Sequence, residues 1–375
     1  MIRIMTVFGT RPEAIKLGPV VKALKAEPGI ELTVCTTGQH REMLKQVLDL
    51  FEIVPDVDLD LMTPGQTLTD ITRRVLEKLS PMLAERPVDW LLVQGDTTTA
   101  FAAGLAAFYA KIPVAHVEAG LRSGDIYQPF PEEVNRKMVS TFAALHFAPT
   151  PETRDNLLKE GIAAEAIKVT GNSVIDALLY FQKRLDEDEE LAQSFERQFD
   201  FLDPTRRLIL VTGHRRENFE GGIDRMCAAL LEIAGRGDVQ IVYPVHPNPN
   251  VRGPVGQILA NKDGIHLLDP LDYLPFVYMM TKAEIILTDS GGIQEEAPAL
   301  GKPVLVTRET TERPEGVAAG TAKLVGTDRA LIVSELNTLL DDQDAYQTMS
   351  RAHNPYGDGK TSARIVAALR GPALT

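Results

Sequence analysis

The chain is poor in cysteine, in aromatic residues and in long apolar runs. Its two cysteines, Cys35 and Cys227, are far apart and lack the paired spacing of a zinc site or a disulfide framework, so the sequence predicts neither. No run approaches the roughly 18 apolar residues of a membrane span, and the apolar run at residues 1–8 is too short for a signal-peptide core. We therefore expect a cytoplasmic protein without a membrane partner.

An excess of basic residues is also absent. The 375 residues include 39 Lys and Arg against 52 Asp and Glu, a net charge of −13, which argues against a nucleic-acid partner. A small anion needs only a local group of cations, and several basic residues lie beside glycines or at predicted loop ends. These are Arg11, Lys16, His214, Arg215, Arg216 and Arg313. An anionic small ligand therefore remains compatible with the composition.

Strand-like and helix-like segments alternate in two successive blocks. In the first block, the strand-like runs are 2–8, 31–36, 90–94, 113–117 and 145–148, with helix-like stretches at 12–26, 40–50, 66–86, 97–110 and 131–142. In the second, strands near 207–212, 240–244, 284–288 and 303–306 enclose helices near 222–236, 273–281 and 291–299. Such alternation predicts βαβ units and mainly parallel sheets. We expect an α/β protein of two Rossmann-like domains, residues 1–170 and 171–355, with an acidic helical stretch at 185–201 after the joint.

Glycines and polar groups follow nearly every predicted strand, where open α/β sheets bind their ligands. They are Gly9-Thr10-Arg11, Gly38-Gln39-His40, Gly95-Asp96, Glu118-Ala119-Gly120, Gly213-His214, His246 and Ser290-Gly291-Gly292. We therefore expect the two domains to face each other across a ligand cleft.

The segment 288–296 is the most informative of these strand ends. Its Ser290-Gly291-Gly292 follows an apolar run, and two glycines let a backbone approach a ligand closely. The free N–H groups of a helix start favour an anion, and Glu296, about one turn later, could accept from a ribose diol. On this segment alone, an ordinary strand-to-helix turn is an equal alternative.

Three carboxylates are candidates for acid–base chemistry. Asp96 and Glu118 follow two strands that would place both at one edge if they are neighbours, and Glu132 begins a helix. Asp96 could instead cap a helix that begins at Thr97, and Glu132 could complement a helix dipole. Glu118 precedes Ala-Gly, where capping is less natural, so a functional role is favoured there.

Cofactor motifs are missing. The sequence contains no GxGxxG, and its histidines show no HExxH or other metal spacing. Residues 354–361 look like a phosphate-binding loop without its first glycine and without the preceding strand. We interpret them as the turn before a helix at 362–369. The sequence predicts neither a nicotinamide cofactor nor a metal.

Nine motifs, in order along the chain, carry a specific resemblance. They occupy residues 7–16, 37–44, 93–100, 116–125, 129–136, 213–218, 288–305, 310–316 and 354–359. Together they closely resemble the non-hydrolysing bacterial UDP-N-acetylglucosamine 2-epimerases. The resemblance implies a glycosyltransferase-B-like fold with a C-terminal helix, within 356–375, that returns to the first domain. It further implies a homodimer that interconverts UDP-GlcNAc and UDP-ManNAc and supplies ManNAc for surface polysaccharide.

The same resemblance implies roles for individual residues. Substrate contacts fall on Arg11, Lys16, Asp96, Glu118, His214, Leu271, Phe276, Ser290, Gly291, Gly292, Glu296 and Arg313, and catalytic positions on Asp96, Glu118, Glu132 and His214. Gln39 and His40 match an allosteric UDP-GlcNAc site. Leu271 stands where some members have Gln. If that contact uses the main chain, Leu is harmless, whereas a side-chain amide bond would be lost. Gly65 precedes Gln66 where members with a well-defined second site tend to carry Arg, which weakens the expectation of allosteric activation.

Inversion at C2 of a sugar without a redox cofactor suggests that UDP leaves first. Positive character at C1 then acidifies the C2–H bond, and the resulting 2-acetamidoglucal is reprotonated on its other face. Arg11, His214 and the Ser290–Gly292 turn would stabilise the leaving UDP. Crowding of the three acids is expected to keep one protonated, and the sequence does not assign them to faces. The alternatives are a 2-epimerase for a modified UDP-sugar such as a diacetamido-uronic acid, a hydrolysing relative, a glycosyltransferase and a non-catalytic nucleotide-sugar sensor.

Overall fold

The computed structural model describes residues 1–38, 41–61, 63 and 65–371. The chain divides into two compact units, here called unit 1 and unit 2. Unit 1 is Met1–Ala177 together with the segment from Tyr356 onward, and unit 2 is Leu178–Pro355. The first division lies inside a helix, Ser173–Glu187, whereas the sequence placed the joint between residues 170 and 171.

Unit 1 contains a parallel sheet with helices between its strands. The strands are β1 (Ile2–Phe8), β2 (Ile30–Thr36), β3 (Val57–Asp58), β4 (Trp90–Gln94), β5 (Val114–Val117), β6 (Leu145–Ala148) and β7 (Ile167–Val169). The helices are α1 (Arg11–Ala26), α2 (Arg41–Leu50), α3 (Leu68–Glu85), α4 (Thr98–Tyr109), α5 (Glu132–Phe142), α6 (Pro151–Lys159) and the beginning of α7 (Ser173–Glu187). The strand order is β3-β2-β1-β4-β5-β6-β7.

Helix periodicity explains how α3 packs in unit 1. Its buried residues Ile71, Val75, Leu79 and Leu83 recur every four positions and form one apolar stripe. They share a core with the small buried alanines of α4, and these small side chains allow close approach of two helices. Truncation of a fully buried leucine such as Leu79 to alanine costs roughly 2–5 kcal/mol. The stripe is therefore a main support of this side of the sheet.

Unit 2 repeats the same plan. Its strands are β8 (Arg207–Thr212), β9 (Val239–Pro244), β10 (Ile265–Leu268), β11 (Ile285–Thr288), β12 (Val304–Val306) and β13 (Ala322–Leu324). Besides the end of α7, its helices are α8 (Glu189–Gln198), α9 (Gly222–Ala234), α10 (Pro249–Leu259), α11 (Tyr273–Lys282), α12 (Gly291–Ala299), α13 (Pro314–Ala318), α14 (Arg329–Asp341) and α15 (Gln343–Ser350). All strand pairs are parallel, in the order β10-β9-β8-β11-β12-β13.

The acidic stretch predicted to be helical at 185–201 contains the end of α7 and the whole of α8. The chain leaves α7 at Glu187, and the Asp188 side chain accepts a hydrogen bond of 3.0 Å from Leu191 N as the N-cap of α8. Aspartate competes for backbone N–H groups and therefore favours a cap over a helix interior. The stretch is therefore helical, as predicted, with a break at Asp188.

The last helix, α16 (Thr361–Leu369), belongs to unit 1 and packs on α1. Asp176, in the first turns of α7, accepts hydrogen bonds from Thr361 N (3.2 Å) and Ser362 N (2.7 Å) at the start of α16. The predicted return of a C-terminal helix to the first domain is confirmed. Within the described ranges, no helix combines the length and apolar character required to cross a bilayer.

The strand order places one switch point in each sheet. In unit 1, β1 and β4 are neighbours, and the strands that follow them in the chain lie on opposite sides of this pair. In unit 2, β8 and β11 form the corresponding pair. Ligands of open parallel sheets bind beyond the strand ends at such points. The loops concerned contain Gly9–Arg11 and Gly95–Asp96 in unit 1, and Gly213–Arg215 and Asp289–Gly291 in unit 2. The predicted fold class of two Rossmann-like α/β domains is confirmed.

Candidate active site

Glu118 is the most tightly held carboxylate of unit 1. It directly follows β5, is buried, and adopts a φ of 65°, which non-glycine residues rarely do. Lys16 Nζ on α1 lies 2.6 Å from each of its carboxylate oxygens, and Asn172 Nδ2 donates to Oε1 at 3.0 Å. The side-chain amide of Gln94, at the end of β4, donates to Oε2. Donors from three separate parts of unit 1 therefore fix this one side chain.

Asp96 lies on the loop after β4 and is bound to α5. Arg136 forms an ion pair with Asp96 Oδ2, with its Nε at 3.0 Å, and Asn135 Nδ2 donates to the Asp96 carbonyl at 2.9 Å. Thr97 is the N-cap of α4, because its hydroxyl accepts from Ala100 N at 3.0 Å. The alternative that Asp96 is the cap is therefore wrong.

Glu132 is the first residue of α5, as expected for an acid that complements a helix dipole. Arg136 follows it by four residues, which places both on one face of α5, and Arg136 contacts Asp96. Glu132 Oε2 is buried and accepts no hydrogen bond from the described residues. An unsatisfied buried acceptor costs roughly 1–3 kcal/mol. A donor on a ligand would recover this energy.

Arg11 and Glu13 occupy the first turn of α1. Glu13 forms a capping box with Thr10, accepting from Gly9 N (3.0 Å), Thr10 N (2.8 Å) and the Thr10 hydroxyl (2.8 Å). Its other oxygen accepts from the Thr97 hydroxyl at 2.6 Å. Burial raises the pKa of Glu13, and these hydrogen bonds oppose the rise. Glu13 thus joins the loop before Arg11 to the loop that carries Asp96.

In unit 2, His214 follows β8 and lies beside a fully buried acid, Asp289. Asp289 Oδ2 accepts from His214 N and Arg215 N, both at 2.8 Å, and Oδ1 lies 3.3 Å from His214 Nδ1. The His246 ring stacks on His214 with centroids 5.5 Å apart. Burial lowers the pKa of His214; Asp289 raises it, and Arg215 and His246 lower it.

The start of α12 has the features of an anion site. Ser290 is its N-cap without a side-chain capping bond, and the following N–H groups of a helix start lack intrahelical acceptors. Arg313 lies beside this turn, because a Cβ at Gly291 would be 3.9 Å from the Arg313 Cζ. The Arg313 guanidinium also pairs with Glu295, on the same helix. A helix dipole and an adjacent guanidinium both favour an anion here.

Glu296 lies on the second turn of α12 and is buried. Its Oε1 accepts from the Tyr273 hydroxyl at 2.6 Å, which links α12 to the start of α11. Phe276 lies on the first turn of α11 and Leu271 two residues before that helix, both half-buried. The structure therefore brings the predicted residues 271, 276 and 296 to one region of unit 2.

The predicted residues fall into one group in each unit. Unit 1 holds Arg11, Lys16, Asp96, Glu118 and Glu132, and unit 2 holds His214, Leu271, Phe276, Ser290, Gly291, Gly292, Glu296 and Arg313. Gln39 and His40 lie outside the described residues, so the allosteric site stays a prediction. Sequence reasoning missed the partners that hold these groups, namely Glu13, Gln94, Arg136, Asn172, Tyr273 and Asp289. Only Glu13 had a local signal, the capping-box spacing Thr-x-x-Glu.

A family model described as UDP-N-acetylglucosamine 2-epimerase matches residues 22–370. The UDP-N-acetylglucosamine 2-epimerase of Salmonella typhimurium is 58% identical over 370 residues, 98% of each chain. The Escherichia coli K12 enzyme of the same name is 58% identical over 375 residues, 100% of each chain. The crystal structure of UDP-GlcNAc 2-epimerase from Neisseria meningitidis bound to UDP-GlcNAc matches with a TM-score of 0.89 and 49% identity, covering 98% of this chain and 99% of that one. The chain belongs to the UDP-N-acetylglucosamine 2-epimerase family.

Proposed function

We propose that the protein is a non-hydrolysing 2-epimerase that interconverts UDP-GlcNAc and UDP-ManNAc. The observation that carries this proposal is the set of three acids in unit 1, with Glu118 held by three donors and Asp96 joined through Arg136 to the helix that begins with Glu132. The names of its relatives support the substrate, and the Neisseria meningitidis homologue is bound to UDP-GlcNAc.

We assign the UDP moiety to unit 2. The α12 start at Ser290–Gly292 and the Arg313 guanidinium suit the diphosphate, because both offer positive charge or N–H donors. Glu296 accepts hydrogen bonds from the ribose hydroxyls, and Leu271 and Phe276 complete the contacts to the substrate. His214 and Arg11 stabilise the negative charge that develops on UDP as it leaves.

The reaction begins with elimination. The bond between C1 and the diphosphate oxygen breaks, and its electron pair leaves with UDP. A carboxylate of unit 1 takes the C2 proton, and the C2–H electron pair forms the C1–C2 double bond of 2-acetamidoglucal. An acid on the opposite face then returns a proton to C2, while the UDP oxygen re-forms its bond to C1. Each step conserves atoms and electrons without an oxidant.

Two or more acids are required because the proton leaves one face and returns to the other. Asp96, Glu118 and Glu132 supply them, and a general acid or base contributes typically 10²–10⁴-fold in rate. The supply of ManNAc for surface polysaccharide and a cytoplasmic location remain predictions.

We also propose that the protein is a homodimer that associates through α4 and α5. These two helices pack on each other and expose the apolar side chains of Phe108, Tyr109, Val134 and Met138. Neighbouring exposed apolar side chains are typical of a protein interface. Met138→Glu should shift the sedimentation coefficient to that of a monomer. Unchanged sedimentation of this variant would contradict the choice of helices.

The test of the reaction is NMR spectroscopy of UDP-GlcNAc turnover in D2O. We expect UDP-ManNAc with deuterium at C2, because the proton is exchanged with a carboxyl group. Asp96→Asn, Glu118→Gln and Glu132→Gln should each lower kcat by roughly 10²–10⁴. Glu160→Gln, which alters an exposed unit 1 acid that pairs with Arg122, is the control and should retain kcat. Product with a fully protonated C2 would defeat the scheme, and free UDP released in step with ManNAc would indicate a hydrolysing enzyme.

A further inference from the structure

We infer that Asp289 is a positioning residue that orients His214 and favours the protonated form of its imidazole when the diphosphate is bound. The inference deepens the proposed function and rests on it, because His214 is placed there at the leaving UDP. Asp289 lies in the segment between β11 and α12, directly before Ser290, but its side chain is fully buried and turned towards the loop after β8.

One carboxylate oxygen of Asp289 fixes the backbone of that loop. Oδ2 accepts from His214 N and Arg215 N at 2.8 Å, and Asn218 Nδ2 lies at 3.4 Å. On the other side, the buried Tyr243 hydroxyl donates to Gly213 O at 3.3 Å. The main chain on both sides of His214 is therefore held in place, so its imidazole projects from a rigid segment.

The other carboxylate oxygen of Asp289 lies close to the His214 imidazole. Asp289 Oδ1 lies 3.3 Å from His214 Nδ1, within ion-pair distance, and accepts no hydrogen bond from the described residues. A buried carboxylate oxygen without a donor is costly, which favours a proton on Nδ1. With Nδ1 turned to Asp289, Nε2 is left for a ligand, and the side chain is 41% exposed. Carboxylate–histidine pairs select tautomer and orientation in this way.

Charge is the second effect of Asp289 on His214. The charged or titratable groups that face the imidazole are Asp289 from the β11–α12 segment, His246 from the loop after β9, and the adjacent Arg215. Asp289 is the only anion of the three among the described residues. Burial, Arg215 and His246 all lower the pKa of His214, and Asp289 opposes them. Burial outweighs Asp289, so the pKa of His214 in the free enzyme lies below its ordinary value, and without Asp289 it would be lower still. The negative charge of a bound diphosphate adds to that of Asp289 and favours the protonated imidazole.

The experiment is an NMR titration of the histidine Cε1–H signals in the free enzyme, with His214 assigned from a His214→Gln spectrum. Asp289→Asn can still accept the backbone N–H bonds but loses the charge, so the His214 pKa should fall by roughly 1–3 pH units. Asn218→Ala removes a neutral partner of the same oxygen and should leave the His214 pKa unchanged. The basic limb of the kcat/KM profile should shift with the pKa in Asp289→Asn.

A second measurement does not depend on any variant. Long-range proton–nitrogen correlation on the wild-type enzyme, above the His214 pKa, should show the proton on Nδ1. A proton on Nε2, or an unchanged His214 pKa in folded Asp289→Asn, would overturn the inference. If Asp289 only fixes the backbone of the loop, Asp289→Asn would lower activity without changing the His214 pKa. Because the titration needs no turnover, it distinguishes failure of the pairing from failure of the proposed reaction.

Discussion

Lys16 holds its ammonium nitrogen 2.6 Å from both carboxylate oxygens of Glu118. The two side chains are only 22% and 5% exposed, so water screens this pair weakly. Lys16 lies on α1, the helix that begins with Arg11. The same helix therefore carries two cations, the one proposed to stabilise the leaving group and the one that pairs with the proposed acid or base. A shift of α1 would move both.

Loss of the Lys16 charge should disable Glu118. In Lys16→Met the carboxylate stays buried without its cation, and we expect kcat to fall by roughly 10²–10³, within the range of a lost acid–base group. Lys22→Met, on the same helix, removes a lysine that pairs with the exposed Glu52 at 3.7 Å and should retain kcat. Steady-state kinetics decide the matter: wild-type kcat in Lys16→Met would show that the ion pair is not needed for turnover.

We expect the loss of Glu13 to lower stability and activity more than the loss of an ordinary capping residue does. Glu13→Ala removes the acceptor for Gly9 N, Thr10 N and the Thr97 hydroxyl, and should lower the free energy of unfolding by about 2 kcal/mol or more. It should also lower kcat, because the loop that carries Asp96 loses its anchor. Urea denaturation and kinetics measure both effects.

The matched control for Glu13 is the capping box of α3. Asp70→Ala removes the equivalent acid beside Thr67 at an exposed position, so we expect a smaller loss of stability and no change in kcat. Equal losses in the two variants would mean that Glu13 acts only as a helix cap.

Two buried histidines should make unit 1 sensitive to acid. His116 and His146 are paired on β5 and β6, and burial lowers their pKa values to about 3 and about 4 from an ordinary 6.5. Below pH 6.5 the unfolded chain therefore binds protons before the folded one, so stability falls as the pH drops towards 4. At pH 5, each histidine lowers the free energy of unfolding by roughly 2 kcal/mol relative to its value above pH 6.5.

His116→Gln tests this pH dependence. Its amide can still donate to Gly95 O, the partner of His116 Nε2 at 2.7 Å, but it does not titrate. The loss of unfolding free energy between pH 7 and pH 5 should become smaller, as measured by urea denaturation at each pH. His353→Gln, at an exposed position, should keep the wild-type dependence. The same slope in both variants would exclude His116 as a source of the acid sensitivity.

Tyr273 should affect substrate binding and not chemistry. Tyr273→Phe deletes the hydroxyl that donates to Glu296 at 2.6 Å, so the ribose acceptor is less well oriented. We expect KM for UDP-GlcNAc to rise roughly 3–10-fold, with kcat unchanged. Tyr278→Phe is the control on the same helix, because Tyr278 lines a cavity with Arg207 and Glu284 at the amino ends of β8 and β11. A fall in kcat without a change in KM would contradict the ribose role of Glu296.

Turnover should need neither metal nor nicotinamide. Residues 1–38, 41–61, 63 and 65–371 contain no group of three or more His, Cys, Asp or Glu arranged to hold a metal ion. Because the proposed elimination and re-addition moves only a proton and UDP and transfers no hydride, we expect unchanged kcat in excess EDTA and without added NAD. Activity that is lost on chelation and restored by a divalent ion would refute the elimination scheme as drawn.

The sequence predicted the parts of the site that follow strands, because the βαβ pattern sets where each strand ends. Asp96, Glu118, His214 and Ser290 all occupy such positions in the structure. The short strands β3 and β7, of two and three residues, escaped prediction because a period of two needs a longer run to appear.

The partners of these residues could not be read from the chain. Asn172 is 54 residues from Glu118, Arg136 is 40 from Asp96, and Asp289 is 75 from His214. Periodicity describes one element at a time and contains no information on which distant side chains meet. The folded sheet order supplies this information for one pair, because β8 lies next to β11 and the loops that carry His214 and Asp289 therefore meet.

The return of α16 to unit 1 has a consequence for synthesis on the ribosome. Unit 2 is one continuous stretch, Leu178–Pro355, whereas unit 1 takes α16 from beyond it. Since a chain emerges from its N-terminus, all of unit 2 is made before Thr361 and Ser362 can reach Asp176. Until then α1, with Arg11 and Lys16, lacks one of the helices that pack on it. The unit that carries the three acids is therefore the last to acquire all of its contacts.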